Sequence, residues 1–320
     1  MFASLSGNIF VQKMQTILGS GGAIGTPLAK ELKLFSDHIR LVARNPIQVN
    51  GDDELVIADL TNYQQTDLAV AGSSVVYLTV GLPYDVKTWQ NSWPLVMGNV
   101  IEACLKHSAR LVFLDNVYMY AESEIPHMTE KSGIEPSSKK GKVRAALPDM
   151  IFAAVKDRGL EALIARSADF YGPSVKSSPL AIMVIDEYRK GKKAFWQADS
   201  SKVHAFTYVP DAAKATALLG NTPDAFGEIW HLPTSSEKLN GKEFIEKIAR
   251  EMDVKPRYYI LTKLMMRLIG IFVPIVSEIR EMAYQYDRDY VFDSSKFEER
   301  FSYSPVTYTE GIRNTVRTEH

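Results

Sequence analysis

The stretch LGSGGAIG, residues 18–25, carries the glycine spacing that points most directly to a chemical role. Gly19, Gly22 and Gly25 form the pattern G-x-x-G-x-x-G, with Gly21 as an additional glycine. A Cβ atom in such a turn blocks a pyrophosphate, and the helix that follows offers N–H groups and a positive dipole end. Because the stretch follows an apolar β-type run and opens a helical pattern, it predicts a dinucleotide-binding turn. The alternative is an ordinary strand-to-helix turn.

Arg44 follows the next predicted strand in the stretch IRLVARNP. An NAD-specific site has Asp or Glu near this position to hold the ribose 2′-hydroxyl. An arginine fork instead matches a 2′-phosphate. The sequence therefore favours NADP(H) as the cofactor, with NAD(H) as the alternative. A surface arginine beside a turn would explain the same residue without a cofactor.

The stretch SSKKGKVRAA, residues 137–146, concentrates positive charge on Lys139, Lys140, Lys142 and Arg144. Three interpretations are open: a nucleic-acid patch, a solvated helix start capped by Ser137 or Ser138, or part of a reaction site. The first is weak because the cluster is short and the chain has a net charge of −1. Cations at a helix start oppose the helix dipole, so an anionic group such as a phosphate is expected nearby.

Alternating strands and helices must position these residues. Strands are predicted in the first half at 15–19, 39–43, 54–58, 73–80, 110–115 and 160–165. Long helical segments are predicted at 86–107 and before Gly159, where Pro148 should kink the helix or delay its first regular turn. Continuously apolar strands that alternate with helices indicate a parallel sheet covered on both faces. The predicted fold class is α/β: a doubly wound parallel Rossmann sheet with a smaller, interleaved C-terminal substrate lobe.

The second half of the chain is less regular. Strands are predicted at 204–209 and 227–233, and helices at 211–219, 241–252 and 262–285. We predict an NAD(P)-binding domain over 14–170 and mainly a substrate lobe over 171–320. Segments near 204–233 are expected to return to the Rossmann layer. Residues 1–13 are expected to be an N-terminal extension.

The composition is that of an ordinary globular protein, with 320 residues of which 46% are hydrophobic and 23% charged. The single cysteine, Cys104, cannot form an internal disulfide. The six histidines show no metal-ligand spacing, so no metal site is predicted. The N-terminus lacks a basic region ahead of its apolar residues, which is not typical of a signal peptide. A cytoplasmic location is therefore predicted.

The most apolar stretch is LTKLMMRLIGIFVPIV, residues 261–276. It is too short to cross a bilayer and contains Lys263, Arg267 and Pro274. We predict a helix–turn–helix whose apolar face covers a pocket. Association with a membrane surface is the alternative.

Five motifs together resemble the extended short-chain dehydrogenase/reductase superfamily, in its NAD-dependent epimerase/dehydratase group. They are GSGGAIG (19–25), Asp59-Leu60, YLTVG (77–81), RSADFYGPS (166–174) and FTYVPDAAKA (206–215). The resemblance covers about residues 14–317 and implies a Rossmann sheet with a small C-terminal substrate lobe. It also implies that the cofactor lies against Gly19, Gly21, Gly22, Ala23, Ile24, Gly25, Asp59, Leu60, Thr79, Val80, Gly81 and Arg144.

The chain departs from this family where the resemblance places the catalytic residues. Asn116 ends the fifth strand, where the family has a serine or threonine that holds the substrate hydroxyl. The family's Tyr-x-x-x-Lys falls on the segment 140–144. Lys140 stands in place of the acid/base tyrosine, and Arg144 in place of the lysine that binds the nicotinamide ribose.

The identity of the acid/base is therefore open. Lys140 is one candidate, because a partly buried lysine beside a second cation can exchange protons near neutral pH. Tyr118 and Tyr171 are the tyrosine candidates. A third interpretation is that the protein binds a nucleotide without hydride chemistry.

Asp169, Tyr171, His204 and Phe206 fall on segments that line the substrate cleft in the family that the chain resembles. The implied substrate is small and polar, often a nucleotide sugar, and the family often forms homodimers through helices like 87–107 and 140–158. Two functions stay open. One is an NAD(P)-dependent epimerase/dehydratase-like or carbonyl-reductase-like oxidoreductase. The other is a non-catalytic NADP(H)-binding regulatory or redox-sensing protein.

Overall fold

The computed structural model describes residues 13–318, so most of the predicted N-terminal extension lies outside the described residues. The strands are β1 Met14–Leu18, β2 Ile39–Ala43, β3 Glu54–Ile57, β4 Ser73–Leu78, β5 Arg110–Asp115, β6 Ala162–Arg166, β7 Asp169–Tyr171, β8 Ala194–Gln197, β9 Phe206–Tyr208, β10 Ile229–His231 and β11 Tyr258–Leu261. Seven of them form one sheet in the order β10-β6-β5-β4-β1-β2-β3, and all its pairings are parallel. The predicted parallel Rossmann sheet is confirmed.

The helices are α1 Gly25–Leu32, α2 Tyr63–Val70, α3 Val86–His107, α4 Lys139–Arg158, α5 Asp186–Arg189, α6 Val209–Gly220, α7 Gly241–Glu251, α8 Lys263–Ile269, α9 Pro274–Glu281, α10 Ser295–Phe301 and α11 Tyr308–Thr318. One core fills the space between the sheet and α3 with α4. A second core lies on the opposite face, beneath α1 and α6. Helices on both faces explain why the central strands are apolar along their whole length.

A third core belongs to the C-terminal lobe. There β8 pairs with β11 in parallel, and β7 pairs with β9. Trp196, Phe206, Phe244 and Tyr308 pack together as aromatic side chains of this core. The chain then returns to the first layer, because β10 hydrogen-bonds to β6 and α6 packs on α1.

Helix α4 begins at Lys139 although Pro148 lies inside it. The prediction that the proline could delay the first regular turn is wrong for this helix. Ser138 is the N-cap, and its Oγ accepts the backbone N–H of Gly141 at 2.9 Å. This cap satisfies an N–H group of the first turn independently of the proline ten residues further on. The helix ends at Gly159, which has the left-handed conformation predicted for a C-terminal cap.

The segment predicted as helical over 262–285 consists of α8, α9 and a short 3₁₀ turn at Ala283–Gln285. Pro274 begins α9, at a position where the missing N–H of proline costs no hydrogen bond. Within residues 13–318, the structure contains no helix that is both long and apolar enough to cross a membrane.

Candidate functional site

The glycine turn lies at the carboxyl end of β1, between β1 and α1. Gly19 has φ of +102°, and a Cβ atom there would overlap the backbone of Val80. A Cβ atom on Gly25 would overlap the backbone of Ser20. At Gly21, by contrast, a Cβ atom would point into open space. Two glycines are therefore required by the fold, whereas Gly21 leaves room for a ligand.

The end of β4 completes this edge of the sheet. The Thr79 hydroxyl donates to the carbonyl oxygens of Leu18 and Gly19, each at 3.3 Å. Gly81 follows and, like Gly21, faces open space at its Cβ position. The ends of β1 and β4 are thus joined side by side. This is where a dinucleotide binds in doubly wound sheets.

Arg44 and Asp59 follow the neighbouring strands β2 and β3, and both side chains are exposed. The backbone N–H and the hydroxyl of Thr61 lower the pKa of Asp59, and the charge of Arg44 lowers it further. Leu60 is buried, and its carbonyl oxygen accepts a hydrogen bond from Asn99 at 2.9 Å. The structure therefore brings the predicted adenine-side residues to the same edge as the glycine turn.

Lys140 lies at the start of α4 with a fully buried side chain. Its Nζ donates to Glu281 at 2.9 Å, to the Glu278 carboxylate, and to the Glu278 carbonyl oxygen at 3.3 Å. These acceptors account for all three donors of an ammonium group. Glu281 also accepts the backbone N–H groups of Lys139 and Lys140. The anion expected beside the basic cluster is thus supplied by two glutamates of α9.

Arg144, one turn further along α4, is buried against the end of β5. Its guanidinium donates to Asp115 Oδ1 through Nε at 2.8 Å and through a second nitrogen. Arg166 approaches the other oxygen of Asp115 at 3.4 Å. Asp115 is 3% exposed, so two buried guanidinium groups share one buried carboxylate. In this arrangement Arg144 orders the end of β5.

Asn116 and Tyr118 lie in the loop directly after β5. The Asn116 backbone N–H donates to the Asp115 carboxylate. The side-chain oxygen of Asn116 accepts the backbone N–H of Tyr118 at 3.1 Å. The Tyr118 ring stacks on Trp89 at 6.1 Å between ring centroids. Its hydroxyl lies 3.4 Å from that of Tyr84. The charge network around Asp115 therefore positions both loop residues.

Burial raises the pKa of the Tyr118 hydroxyl, and the charge of Asp169 adds to the rise. Asp169 also accepts hydrogen bonds, from Tyr286 at 2.7 Å and from the His204 ring at 3.1 Å. His204 is stacked between Tyr286 and Tyr290, at 4.1 and 4.3 Å between ring centroids. A carboxylate, an imidazole and several phenols thus come together beside the loop after β5.

Tyr171 and Phe206 do not lie at the substrate cleft, where we predicted them. Tyr171 is 2% exposed, and its ring packs against Tyr208 and Tyr308. Phe206 is fully buried beside Phe244. Both side chains fill the core of the C-terminal lobe, because their strands are covered by α7 and α11 on the side toward which they point. Of the four predicted substrate residues, Asp169 and His204 lie near Tyr118.

Sequence reasoning missed Glu278, Glu281 and Tyr286. Each comes from the segment after residue 250, whose sequence pattern is the least distinctive in the chain. A cationic helix start predicts that some carboxylate lies near it, yet it does not say which of the 38 acidic residues does. The pairs Lys140–Glu278 and Lys140–Glu281 join residues 138 and 141 positions apart.

A cavity of about 690 Å³ lies between the start of α4 and the segment that contains α8 and α9. Its walls include Ser138, Lys139, Arg267 and Arg280. The segment 261–276 therefore borders a pocket through Lys263, Leu264 and Arg267, but the prediction that its apolar face covers the pocket is wrong, because most of its large apolar side chains are exposed and do not line the cavity. Over residues 13–318, the structure has no cluster of His, Cys, Asp and Glu that could hold a metal ion.

The sequence profile of the NAD dependent epimerase/dehydratase family matches residues 16–232. The chain belongs to this family. The predicted resemblance is confirmed, and the glycine turn and the loop after β5 both fall within the matched residues. The segment from Lys140 to Arg144, on which the predicted departure from Tyr-x-x-x-Lys lies, falls there too.

Two curated members are similar to the chain. One is 3beta-hydroxysteroid-dehydrogenase/decarboxylase isoform 1 of Arabidopsis thaliana, 26% identical over 302 residues that cover 83% of this chain and 67% of the relative. The other is UDP-N-acetyl-alpha-D-glucosaminuronate decarboxylase of Bacillus cytotoxicus, 21% identical over 76% of this chain and 80% of the relative.

Among solved structures, the UDP-glucuronic acid 4-epimerase of Bacillus cereus, in complex with UDP-glucuronic acid and NAD, has a TM-score of 0.79. The two chains are 17% identical, and the match covers 95% of this chain and 98% of the epimerase. At this identity the match establishes the shared fold, including the C-terminal lobe.

Proposed function

We propose that the protein binds NADP(H) at the carboxyl ends of β1 and β4 and uses it in an oxidoreduction of a small polar substrate. The observation that carries the proposal is the open space at Gly21, beside two glycines that the fold requires. A pyrophosphate needs such close approach to backbone. When bound there, the nicotinamide supplies or accepts a hydride.

The preference for NADP(H) over NAD(H) rests on Arg44. Among residues 13–318, its exposed guanidinium has no hydrogen-bond partner, and its charge reaches Asp59. Asp59 balances part of that charge, and its Oδ1 is held by Thr61 at 2.8 and 2.9 Å. A 2′-phosphate beside Arg44 would gain a charge-assisted hydrogen bond.

Calorimetric titration with NADPH and with NADH tests this preference. Arg44→Ala should weaken NADPH binding by about 1.5–3 kcal/mol, the value of a hydrogen bond to a charged group, and should leave NADH unchanged. The matched control is Arg317→Ala, which removes an exposed arginine on α11, a different part of the chain. Equal losses for both nucleotides would refute the role of Arg44. Tighter binding of NADH by the natural protein would reverse the preference and keep the site.

For the substrate we propose a carbonyl or hydroxyl compound, with nucleotide sugars as the leading class. The names of the Bacillus relatives support this class, since one acts on a UDP-sugar acid and the other is solved with one bound. The named Arabidopsis relative is a steroid dehydrogenase/decarboxylase, so a less polar substrate is the alternative. A screen of purified protein with NADPH against aldehydes, ketones and nucleotide sugars separates the two.

For the proton, we propose the Tyr118 hydroxyl rather than Lys140. The three N–H donors of Lys140 already have acceptors, and its neighbours hold it toward α9. Burial raises the pKa of Tyr118, so its phenol keeps the proton at neutral pH. A protonated phenol can donate to a carbonyl oxygen, which is the direction of reduction, although the raised pKa makes it a weaker acid than a free tyrosine. Asn116 would orient that oxygen.

Tyr118→Phe should abolish most turnover while NADPH binding is retained. Tyr171→Phe is the control, because the Tyr171 hydroxyl is buried in the core of the C-terminal lobe. Full turnover by Tyr118→Phe would exclude this tyrosine. Loss of turnover in both variants would point to a structural effect, which urea unfolding would reveal.

A second candidate function is binding without turnover, as in a regulatory or redox-sensing protein. The observation in its favour is that both positions of the family's catalytic pair, Lys140 and Arg144, are buried in ion pairs with protein carboxylates. Tight NADPH binding with no oxidation of NADPH by any member of the substrate screen would establish this alternative.

We also propose a homodimer that forms through α3 and α4. These helices lie side by side on one face of the sheet, and Leu95 of α3 is more than half exposed. Light scattering of the purified protein measures the assembly, and a monomer at all concentrations would refute it.

The cytoplasmic location stays a prediction, which cell fractionation tests.

A further inference from the structure

Helices α8 and α9 form a hairpin over residues 263–281, called here the α8–α9 hairpin. This hairpin exposes an unusual amount of apolar surface. Eight of its large apolar side chains are exposed: Leu264, Met265, Leu268, Ile269, Ile271, Phe272, Val273 and Ile275. Phe272 is 85% and Ile271 is 71% exposed, at the turn between the helices. Scattered apolar side chains are normal on a surface, but a contiguous patch marks an interaction site.

Positive charge surrounds the patch. Lys139, Arg267 and Arg280 are exposed, and all three line the cavity beneath the hairpin. Within residues 13–318, no side-chain ion pair is formed by any of the three. Lys263, the fourth cation of the cavity, is instead paired with Asp287.

The acidic side chains nearby offset this charge only in part, since the two glutamates that share Lys140 leave one excess negative charge against the three cations. Glu278 and Glu281 both bind Lys140, and Glu122 binds Arg288 at 2.9 Å. The rim of the patch therefore carries a net positive charge, although the chain as a whole is close to neutral.

The apolar tip of the hairpin, at Ile271 and Phe272, and the cationic rim around it together match the chemistry of an anionic lipid surface. A bilayer that contains anionic lipid offers acyl chains to the tip and phosphate groups to the rim. A second copy of this chain offers the same cationic rim, which would repel it. Neither α8 nor α9 is long enough to span a bilayer, so the hairpin can lie only in the interface.

We propose that the α8–α9 hairpin docks the protein on the surface of an anionic lipid bilayer. The tip around Ile271 and Phe272 enters the boundary between headgroups and acyl chains, and Lys139, Arg267 and Arg280 face the lipid phosphates. Because all three of these cations also line the cavity of about 690 Å³, docking places the mouth of that cavity at the membrane surface. The proposal does not depend on the proposed reaction or cofactor.

The test is co-sedimentation of the full chain with vesicles of phosphatidylcholine, alone or with about one-third phosphatidylglycerol. We expect binding to the anionic vesicles, weaker binding at high salt, and at least about tenfold weaker binding to the neutral ones. Binding to neither kind of vesicle, or equal binding to both, would overturn the proposal.

Three double variants, one of them a control, locate the binding surface. Ile271→Asp with Phe272→Asp should reduce binding to anionic vesicles at least about tenfold. Leu34→Asp with Leu68→Asp is the control, because these side chains are 76% and 71% exposed elsewhere on the surface. Arg267→Glu with Arg280→Glu should remove the preference for anionic lipid. Since all six side chains are exposed, folding should be kept, which circular dichroism checks.

Unchanged vesicle binding by the Ile271/Phe272 variant would refute the role of the hairpin. Light scattering identifies the competing occupant. If that variant converts a dimer into a monomer and the natural protein does not bind vesicles, the patch is an interface between two copies and the proposal fails.

Discussion

The two halves of the candidate site are built in different ways. At the end of β1, the glycine turn is made of backbone: its requirements are a positive φ at Gly19 and space at Gly21. At the end of β5 and the start of α4, the site is made of charges. Asp115 holds Arg144 and Arg166, and two glutamates of α9 hold Lys140.

The residues of the two halves are therefore constrained in different ways. A backbone turn binds phosphate through N–H groups, which every residue except proline supplies, so the glycines are the most constrained positions. A charged side chain, in contrast, can form an ion pair with any opposite charge that the fold places beside it. Here Lys140 and Arg144, at the positions where the resemblance predicts the catalytic pair, are both bound to protein carboxylates.

The largest effect is expected at the buried network of β5. Asp115→Asn would leave the guanidinium groups of Arg144 and Arg166 buried without a counter-charge. Breaking a buried ion pair costs about 3–5 kcal/mol, which urea unfolding would measure. Glu102→Gln is the control, because the Glu102–Arg158 pair is half exposed and should contribute at most about 1 kcal/mol. Similar losses in both variants would contradict the importance of the buried network.

Lys140→Met should destabilise the protein by about 3 kcal/mol, the low end of the range for buried pairs, because its glutamate partners are about one-fifth exposed. Adding Glu278→Gln and Glu281→Gln should restore much of the loss. Turnover of the triple variant in an NADPH assay sharpens the comparison. If turnover disappears although stability is restored, Lys140 takes part in the reaction and Tyr118 is not the sole proton donor.

The glycine turn can be tested with one pair of variants. Gly19→Ala places a side chain at φ of +102° against Val80 and should cost about 1–3 kcal/mol in urea unfolding. Gly21→Ala should change stability by less than about 0.5 kcal/mol, because its Cβ faces open space. It should nevertheless weaken NADPH roughly tenfold in a titration. Unchanged NADPH binding by Gly21→Ala would place the pyrophosphate elsewhere.

The smallest effect at neutral pH is a pH dependence at the edge of the charged half, because it develops only in acid. His231 lies on β10, where its Nδ1 contacts the Asp293 carbonyl oxygen and its Nε2 contacts the Tyr120 hydroxyl, both at 2.7 Å. Burial lowers the pKa of His231 from 6.5 to about 3. Between these values the unfolded chain binds the proton and the folded protein does not, so acid favours unfolding.

Stability should therefore fall by about 1.4 kcal/mol per pH unit as the pH drops from 6.5 toward 3, from this group alone. His231→Gln should show a shallower decline in urea midpoints over the same pH range. Parallel curves for the two proteins would mean that His231 is protonated in the folded state.

Much of the fold could be predicted from the sequence, because the first half of the chain consists of local patterns. The runs at 39–43 and 110–115 are strands with the predicted bounds, and α3 spans 86–107 as predicted. Each depends on periodicity within a few residues. The segment 262–285 was harder, because its break at 270–273 depends on a turn and on Pro274.

The candidate site could be predicted only in part. The glycine turn and the positions of Lys140 and Arg144 are readable because they stand at set places in a motif. Tyr171 looks from sequence like a cleft residue, yet it is buried among Tyr208 and Tyr308. A strand residue can face either side of its strand, and the neighbours that cover each side come from distant segments.

The sequence by itself determined that this chain forms a parallel α/β sheet with a dinucleotide-type turn, and it predicts cations at the two positions where the family resemblance places the catalytic pair. These properties are local, since they depend on periodicity, on glycine spacing and on residue type. Only the tertiary structure decided what the two cations bind. Their partners come from β5 and α9, and the pairing of buried charges depends on which segments meet in space.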